Sequence, residues 1–383
     1  MATAIGLVLM QRSRKRVIAA SRSLPEEEEE IEKTVYFRAT SSFNKQIVSD
    51  WYIIKLSSKD CTQKKWTMTG AGLVLCRKRR RTRGEGSKNQ LDLKSILKNT
   101  PHHSFYSRFA AVGSTIYCTS AANSDCRDVL ALDTSNPTTS LQWQAVPSMN
   151  IRREGEFSEA VTADDGKIYV FGGGSNLSRL KPGEEQFVVE VFDPSKNTWE
   201  AINPPPQEMR PLYCDHLVFS VYDYTSRRII LGSIAGFFIV YDLRDASWGV
   251  LPKRFSASMD TRISCPAFFD NTLYWIQIVD YDTYRCGLCA YDLDLEMIIH
   301  GHIMDVDPSF CRSCIGSMHF SHFRGDEFYL IWLYSGRWVR CERMRVLKRV
   351  DMEKRQGSLQ CRVLSTKTYM LETEAKSIDA VLL

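Results

Sequence analysis

A large apolar residue followed by aspartate returns along this chain at nearly even spacing, as Leu132-Asp133, Phe192-Asp193, Tyr241-Asp242 and Tyr291-Asp292. The successive intervals are 60, 49 and 50 residues. A period near fifty is too long for a helix or strand pattern; it marks a supersecondary unit that is repeated and stacked on its neighbours. One copy runs from Gly166 through Ile168-Tyr169-Val170-Phe171 to Gly172-Gly173-Gly174, then through a polar stretch to Val188–Asp193 and Trp199. A second ends in Phe237–Asp242 and Trp248, and in both copies the Trp lies 7 residues after the aromatic that precedes Asp. Trp143 lies 11 residues after Leu132, which implies a longer turn, and no Trp lies 7 residues after Tyr291. Fainter copies are Asp50 to Leu56 with Trp66, and Asp326 to Trp332 with Leu359 to Ser365.

Within the repeats, short apolar or alternating runs are separated by clusters of Asp, Asn, Gly, Pro and Ser, the pattern of strands and turns. Such runs include Thr115–Cys118, Val129–Leu132, Lys167–Phe171, Val188–Phe192, Arg228–Leu231, Phe237–Tyr241, Thr272–Ile276 and Glu327–Leu330. Helical periodicity is confined to Leu91–Leu97. A small sheet cannot bury both faces alone, but sheets stacked around an axis cover one another. Glycines at the ends of strands permit positive φ, and large aromatics fill the space between sheets. Gly172, Gly173, Phe192, Trp199, Tyr241 and Trp248 are therefore expected to determine the fold rather than to touch a ligand.

Through Ile168-Tyr-Val-Phe-Gly-Gly, Phe192-Asp-Pro-Ser-Lys-Asn-Thr-Trp and Trp143-Gln-Ala-Val-Pro-Ser-Met, the chain resembles the kelch-repeat β-propellers, in detail the plant kelch and F-box/kelch proteins. The resemblance covers about Val35 to Ser365 and is strongest from Phe109 to Trp248. It implies an all-β propeller, with six blades expected. The expected domain is 35–383, with a basic loop insertion near 70–104 and a basic-then-acidic tail over 1–34. It also implies that connections between second and third strands, and between successive blades, form a recognition face. Ser175–Gln186 and Pro204–Pro211 would lie there, with Arg152, Arg153, Arg179, Lys181 and Arg210 as candidate partner contacts. F-box/kelch proteins carry a Leu-Pro-rich helical box before the propeller, whereas Met1–Thr34 holds only Leu24-Pro25 before a glutamate run.

Charge is concentrated. The net charge is +5, yet Arg77, Lys78, Arg79, Arg80, Arg81, Arg83 and Lys88 against Glu85 already amount to a net of +6. The rest of the chain is close to neutral, so no basic face suited to a polyanion is indicated. The run resembles a nuclear import signal; a solvated loop is the plain alternative, and without interleaved aromatics a nucleic-acid contact is not expected. Met1–Pro25 is basic and acid-free, the composition of a transit peptide or of a frayed terminus, and is followed by Glu26–Glu30. No secretory signal is legible, so Asn176-Leu177-Ser178 is not read as a glycosylation site, and a cytoplasmic or nuclear location is expected. Ile229–Tyr241, the longest apolar stretch, is too short and too interrupted by Gly232, Ser233 and Gly236 to span a bilayer.

Two cysteine pairs, Cys286/Cys289 and Cys311/Cys314, and the nearby His319 and His322 have residue types suited to zinc. Residues three apart in a regular strand face opposite sides, however, which disfavours chelation by Cys286 with Cys289 or by His319 with His322. The Gly172-Gly173-Gly174 run is followed by no Lys-Ser/Thr and no helix, so it does not read as a phosphate loop. The reading is a non-enzymatic protein-interaction module with a protein partner, no cofactor, no small-molecule substrate and no membrane contact. The kelch resemblance suggests substrate recognition or an adaptor role for a ubiquitin ligase. The competing reading is a metal-dependent enzyme similar to galactose oxidase, or a zinc-binding protein.

Overall fold

The computed structural model describes residues 31–43, 46–58, 67–69, 72–74, 90–100, 107–119, 127–136, 141–153, 158–173, 189–209, 217–255, 266–280, 285–304 and 318–383. Strands dominate them, and the helical content is a single 3-10 turn at Gln207–Met209. The β-branched and aromatic runs pair antiparallel into four-stranded units, in which the strands are ordered from the ring's inner edge outward. The first comprises Ser377–Leu382, Glu32–Phe43, Gln46–Ser57 and Leu97–Thr100, and the second Arg108–Val112, Thr115–Thr119, Val129–Asp133 and Gln144–Val146. The third comprises Ser158–Thr162, Ile168–Gly172, Val189–Asp193 and Thr198–Ile202, and the fourth Leu217–Asp223, Arg228–Ser233, Phe237–Asp242 and Ser247–Arg254. A nine-stranded sheet holds two more, Ala267–Phe269, Thr272–Asp280, Arg285–Asp292 and Met297–Met304, then Met318–Arg324, Glu327–Ser335, Trp338–Asp351 and Gln356–Met370. Its ninth strand is Gln90–Asp92, added to the edge of Gln356–Met370.

Inner strands of successive units touch in turn, and the inner strand of the last touches Ser377–Leu382 of the first. Sheets arranged this way around an axis form a β-propeller. Closure depends on sequence-distant pairing: Ser377–Leu382 lies antiparallel to the first strand, from Val35↔Leu382 to Thr40↔Ser377. That first strand begins at Glu32, three residues before the expected boundary at Val35.

The core is a set of layers between units rather than one central mass. Between the third and fourth units lie Tyr169, Phe171, Val191, Ile229, Leu231, Ile239 and Tyr241. Between the first and second lie Tyr36, Trp51, Ile116 and Leu132, with Trp143 against them. Phe192 packs on Trp199 with ring centroids 5.0 Å apart, and Tyr241 on Trp248 at 4.8 Å. Each indole N–H then reaches back to the connection that leads into its own unit: Trp199 donates to the Pro147 carbonyl at 2.8 Å and Trp248 to that of Asn203 at 3.0 Å.

The recurring aspartate has a local task. Asp193 Oδ1 accepts from the backbone N–H of Ser195 at 3.0 Å and Lys196 at 3.3 Å, and Asp292 Oδ1 accepts from those of Asp294 at 3.1 Å and Leu295 at 3.0 Å. Asp223 and Asp351 cap their turns in the same way. Four residues after the aspartate the backbone is left-handed, at Asn197 (φ 57°), Arg227 (53°), Ala246 (54°), Glu296 (49°) and Arg355 (48°). The acceptor thus fixes a tight hairpin turn whose last residue carries the positive φ.

The helix expected over Leu91–Leu97 is absent. These residues bridge two short strands; Leu93 packs under the junction of the first and sixth units, Ile96 and Leu97 against the first–second layer, and Leu91 is exposed. Helix-like spacing was satisfied by two different cores on either side of a bend, a tertiary outcome that overrides local periodicity.

Candidate interaction face

Successive strands of a unit run antiparallel, so their connections alternate between the two faces of the ring. One face carries mostly tight turns: 113–114, 163–167, 194–197, 224–227, 243–246, 270–271, 293–296, 325–326 and 352–355. On the opposite face lie the tight turns 234–236 and 336–337 and, among the described residues, the segments 147–153 and 203–209 that leave outer strands; the sequence separating strand ends on this face is long at 101–107, 120–128, 147–157, 173–188, 203–216, 255–266 and 305–317. Of the two stretches expected to contact a partner, Pro204–Pro211 is described as far as Met209 and follows the outer strand of the third unit, whereas Ser175–Gln186 lies outside the described residues. Long connections on a rigid frame can vary without disturbing the core.

The 147–153 segment shows how this face is anchored. Asn150 donates its backbone N–H to Glu190 Oε1 at 2.8 Å, and Met149 donates its own to the Arg127 carbonyl at 2.9 Å. Arg152 is exposed there, whereas Arg153 is fully buried: its guanidinium pairs with Glu190 at 3.0 Å, with both side chains at 0% exposure, and donates to the Gly172 carbonyl. Arg153 therefore does not belong with the exposed contacts. A charge that can be matched by a buried carboxylate and a strand-end carbonyl is drawn inside, although nothing in the local sequence distinguishes it from its neighbour. Burial lowers its pKa from the ordinary arginine value, against the pull of Glu190. Arg179, Lys181 and Arg210 lie outside the described residues, as does the basic run Arg77, Lys78, Arg79, Arg80, Arg81 and Arg83. Gly172 and Gly173, at φ 68° and 70°, end the strand that supplies the carbonyl to Arg153.

A second polar link was not anticipated from sequence. Arg108 Nε lies 3.0 Å from Glu159 Oε1, and Ser220 Oγ donates to Glu159 Oε2 at 3.5 Å and to the Ala160 carbonyl at 3.3 Å. Glu159 thus ties the inner strands of the second, third and fourth units together. Its only signal was an acid inside a short strand, Ser158–Thr162, which only the ring arrangement brings to an arginine 51 residues away.

The cysteine and histidine candidates are partly placed. Cys289 is buried, its Sγ is 3.3 Å from His300 Nδ1, and burial pushes its thiol up to about 12, which leaves it protonated and unreactive at neutral pH. Cys286 lies on the same strand; Cys311 and Cys314 are outside the described residues. His319 and His322 share the inner strand of the sixth unit. His322 stacks on Phe269 at 4.1 Å with its Nε2 3.0 Å from the Gly325 carbonyl, and burial lowers its pKa. Among the described residues, no group of three or more His, Cys, Asp or Glu side chains is arranged to hold a metal ion. Nor is any helix among them long and apolar enough to cross a membrane.

Comparison with known proteins agrees with this architecture. The model of the FKB95 kelch-repeats domain matches residues 73–358. An F-box/kelch-repeat protein of Arabidopsis thaliana is 27% identical over 213 residues, covering 55% of this chain and 49% of its own length. Another from the same plant is 40% identical over 68 residues, 18% of this chain and 15% of the relative. The chain spans about half the length, or less, of the curated relatives it matches. Among solved structures, a fungal alcohol oxidase in complex with copper is similar at 12% identity and a TM-score of 0.44, over 90% of this chain and 64% of that one.

Proposed function

Since the chain belongs to the FKB95 kelch-repeats family, we propose that it is a non-enzymatic interaction module that docks a protein partner on its long-connection face. The observation that carries this reading is the described part of that face: the 147–153 and 203–209 segments lie opposite the aspartate-capped turns, over a frame pinned by Arg153 and Glu190, and the strand ends there are separated by long stretches of sequence at 147–157, 173–188 and 203–216. Variable segments on a preorganised frame suit recognition, because little frame ordering is required on binding. Kinship with F-box/kelch-repeat proteins supports presentation of a client to a ubiquitin ligase as the pathway use.

The test is to replace 175–186 with a Gly-Ser segment of equal length, and separately to make Arg152→Glu, then measure binding to partners captured by the unaltered chain. Loss of binding with an unchanged melting midpoint supports the proposal; full binding by both variants overturns the assignment to this face. Stoichiometric zinc or copper in the purified protein would instead favour the metal-dependent reading. For location we propose that the run from Arg77 to Arg83 directs nuclear import; its replacement by serine should move a tagged protein out of the nucleus, and an unchanged distribution would reject this.

A further inference from the structure

The outermost strands of the fifth and sixth units, Met297–Met304 and Gln356–Met370, hydrogen-bond to each other in parallel from His300↔Ser358 to Met304↔Arg362. In the other units, among the described residues, the outer strand pairs only with the third strand of its own unit. Units of a propeller diverge toward the rim, so such a joint needs strands that reach across. The third and fourth strands of the sixth unit provide that reach: they are 14 and 15 residues long and carry a register shift at Arg343/Met344, where a bulge bends the hairpin.

Three further features are fitted to this joint. A Cβ on Gly301 would collide with the carbonyl oxygen and Cβ of Leu359, and a Cβ on Gly357 would lie 2.9 Å from the Ile299 side chain, so both strands carry glycine where they approach. Beneath them Leu288, Ala290, Ile299, Met344, Leu359 and Cys361 form one buried layer. Lys348, on the sixth-unit hairpin, donates to Asp292 Oδ2 at 2.9 Å and Thr272 Oγ1 at 2.7 Å, both in the fifth unit.

We infer that this rim clasp makes the fifth and sixth units one rigid body, which confines opening and flexing of the ring to its other joints. Side-chain packing alone lets adjacent sheets slide, whereas a shared hydrogen-bond ladder must break before they separate. Openings of the two units are therefore coupled.

Hydrogen exchange on the full chain tests this. In the unaltered protein, segments 298–304 and 357–363 should exchange in step, at least about tenfold more slowly than the outer strands Thr198–Ile202 and Ser247–Arg254. Gly301→Val should accelerate both segments together by about tenfold or more and leave 168–172 and 189–193 unchanged, whereas Gly249→Ala, at a position with open space around it, should change neither. Independent exchange of the two segments in the unaltered protein would overturn the inference, as would a valine effect confined to one of them. If Gly301→Val does not fold, Lys348→Ala is the milder probe, and the same in-step acceleration is required of it.

Discussion

Trp199→Ala tests whether the aromatic–Trp pair seals one unit to the connection behind it. The indole is partly buried, stacks on Phe192 at 5.0 Å and donates to the Pro147 carbonyl at 2.8 Å. Aromatic side chains bury roughly 150–250 Å² when enclosed, so about 100 Å² is a fair share here, worth about 2.5 kcal/mol at about 25 cal/mol per Å². The hydrogen bond adds about 1 kcal/mol, for a total of about 3.5 kcal/mol, below the upper end of the range for a fully buried Trp. With an unfolding entropy of about 2.1 cal/mol/K per residue over roughly 350 residues, that lowers the melting midpoint by about 5 °C if the ring unfolds as one unit. Trp199→Phe keeps most of the stack and loses the N–H, so it should cost about 1 kcal/mol. Calorimetry on the two variants separates the contributions. An unchanged midpoint for the alanine variant would refute the sealing role, and equal losses for both would assign the effect to the hydrogen bond alone.

Ala246 sits at φ 54° without need of its methyl, so Ala246→Gly should raise stability by about 0.5–1 kcal/mol, read as a higher denaturation midpoint. Arg153→Met leaves the Glu190 carboxylate buried without its cation and should cost about 3–5 kcal/mol; adding Glu190→Leu should restore most of that stability, and a double variant as weak as the single one would refute the pairing argument. Glu327 is raised by burial, but Arg343 and Arg324 outweigh this and hold its carboxyl below the usual glutamate range. Its contribution is therefore fully present above about pH 4.3, the unfolded value, and is lost as pH falls through the lower folded one. Glu327→Gln should flatten the acid limb of a stability–pH profile, and an unaltered limb would count against the arginine pairing.

Much of the repeat was readable from residue order because its determinants are local. The apolar–Asp pair marks a turn whose donors lie two and three residues downstream, and the strand runs and aromatic–Trp spacing lie within one hairpin. Kelch resemblance and an all-β propeller follow from those signals. The exposure of the candidate contact residues was not legible: Arg152 and Arg153 are adjacent arginines, and only the position of Glu190 makes one exposed and the other buried. Tertiary structure alone decided that Ser377–Leu382 closes the first unit, that Leu91–Leu97 bends between two cores, that Glu159 joins three units and that the fifth and sixth units share a rim ladder. Each of these is a pairing between residues far apart in sequence, and its free energy exists only once the chain has closed the loop between them.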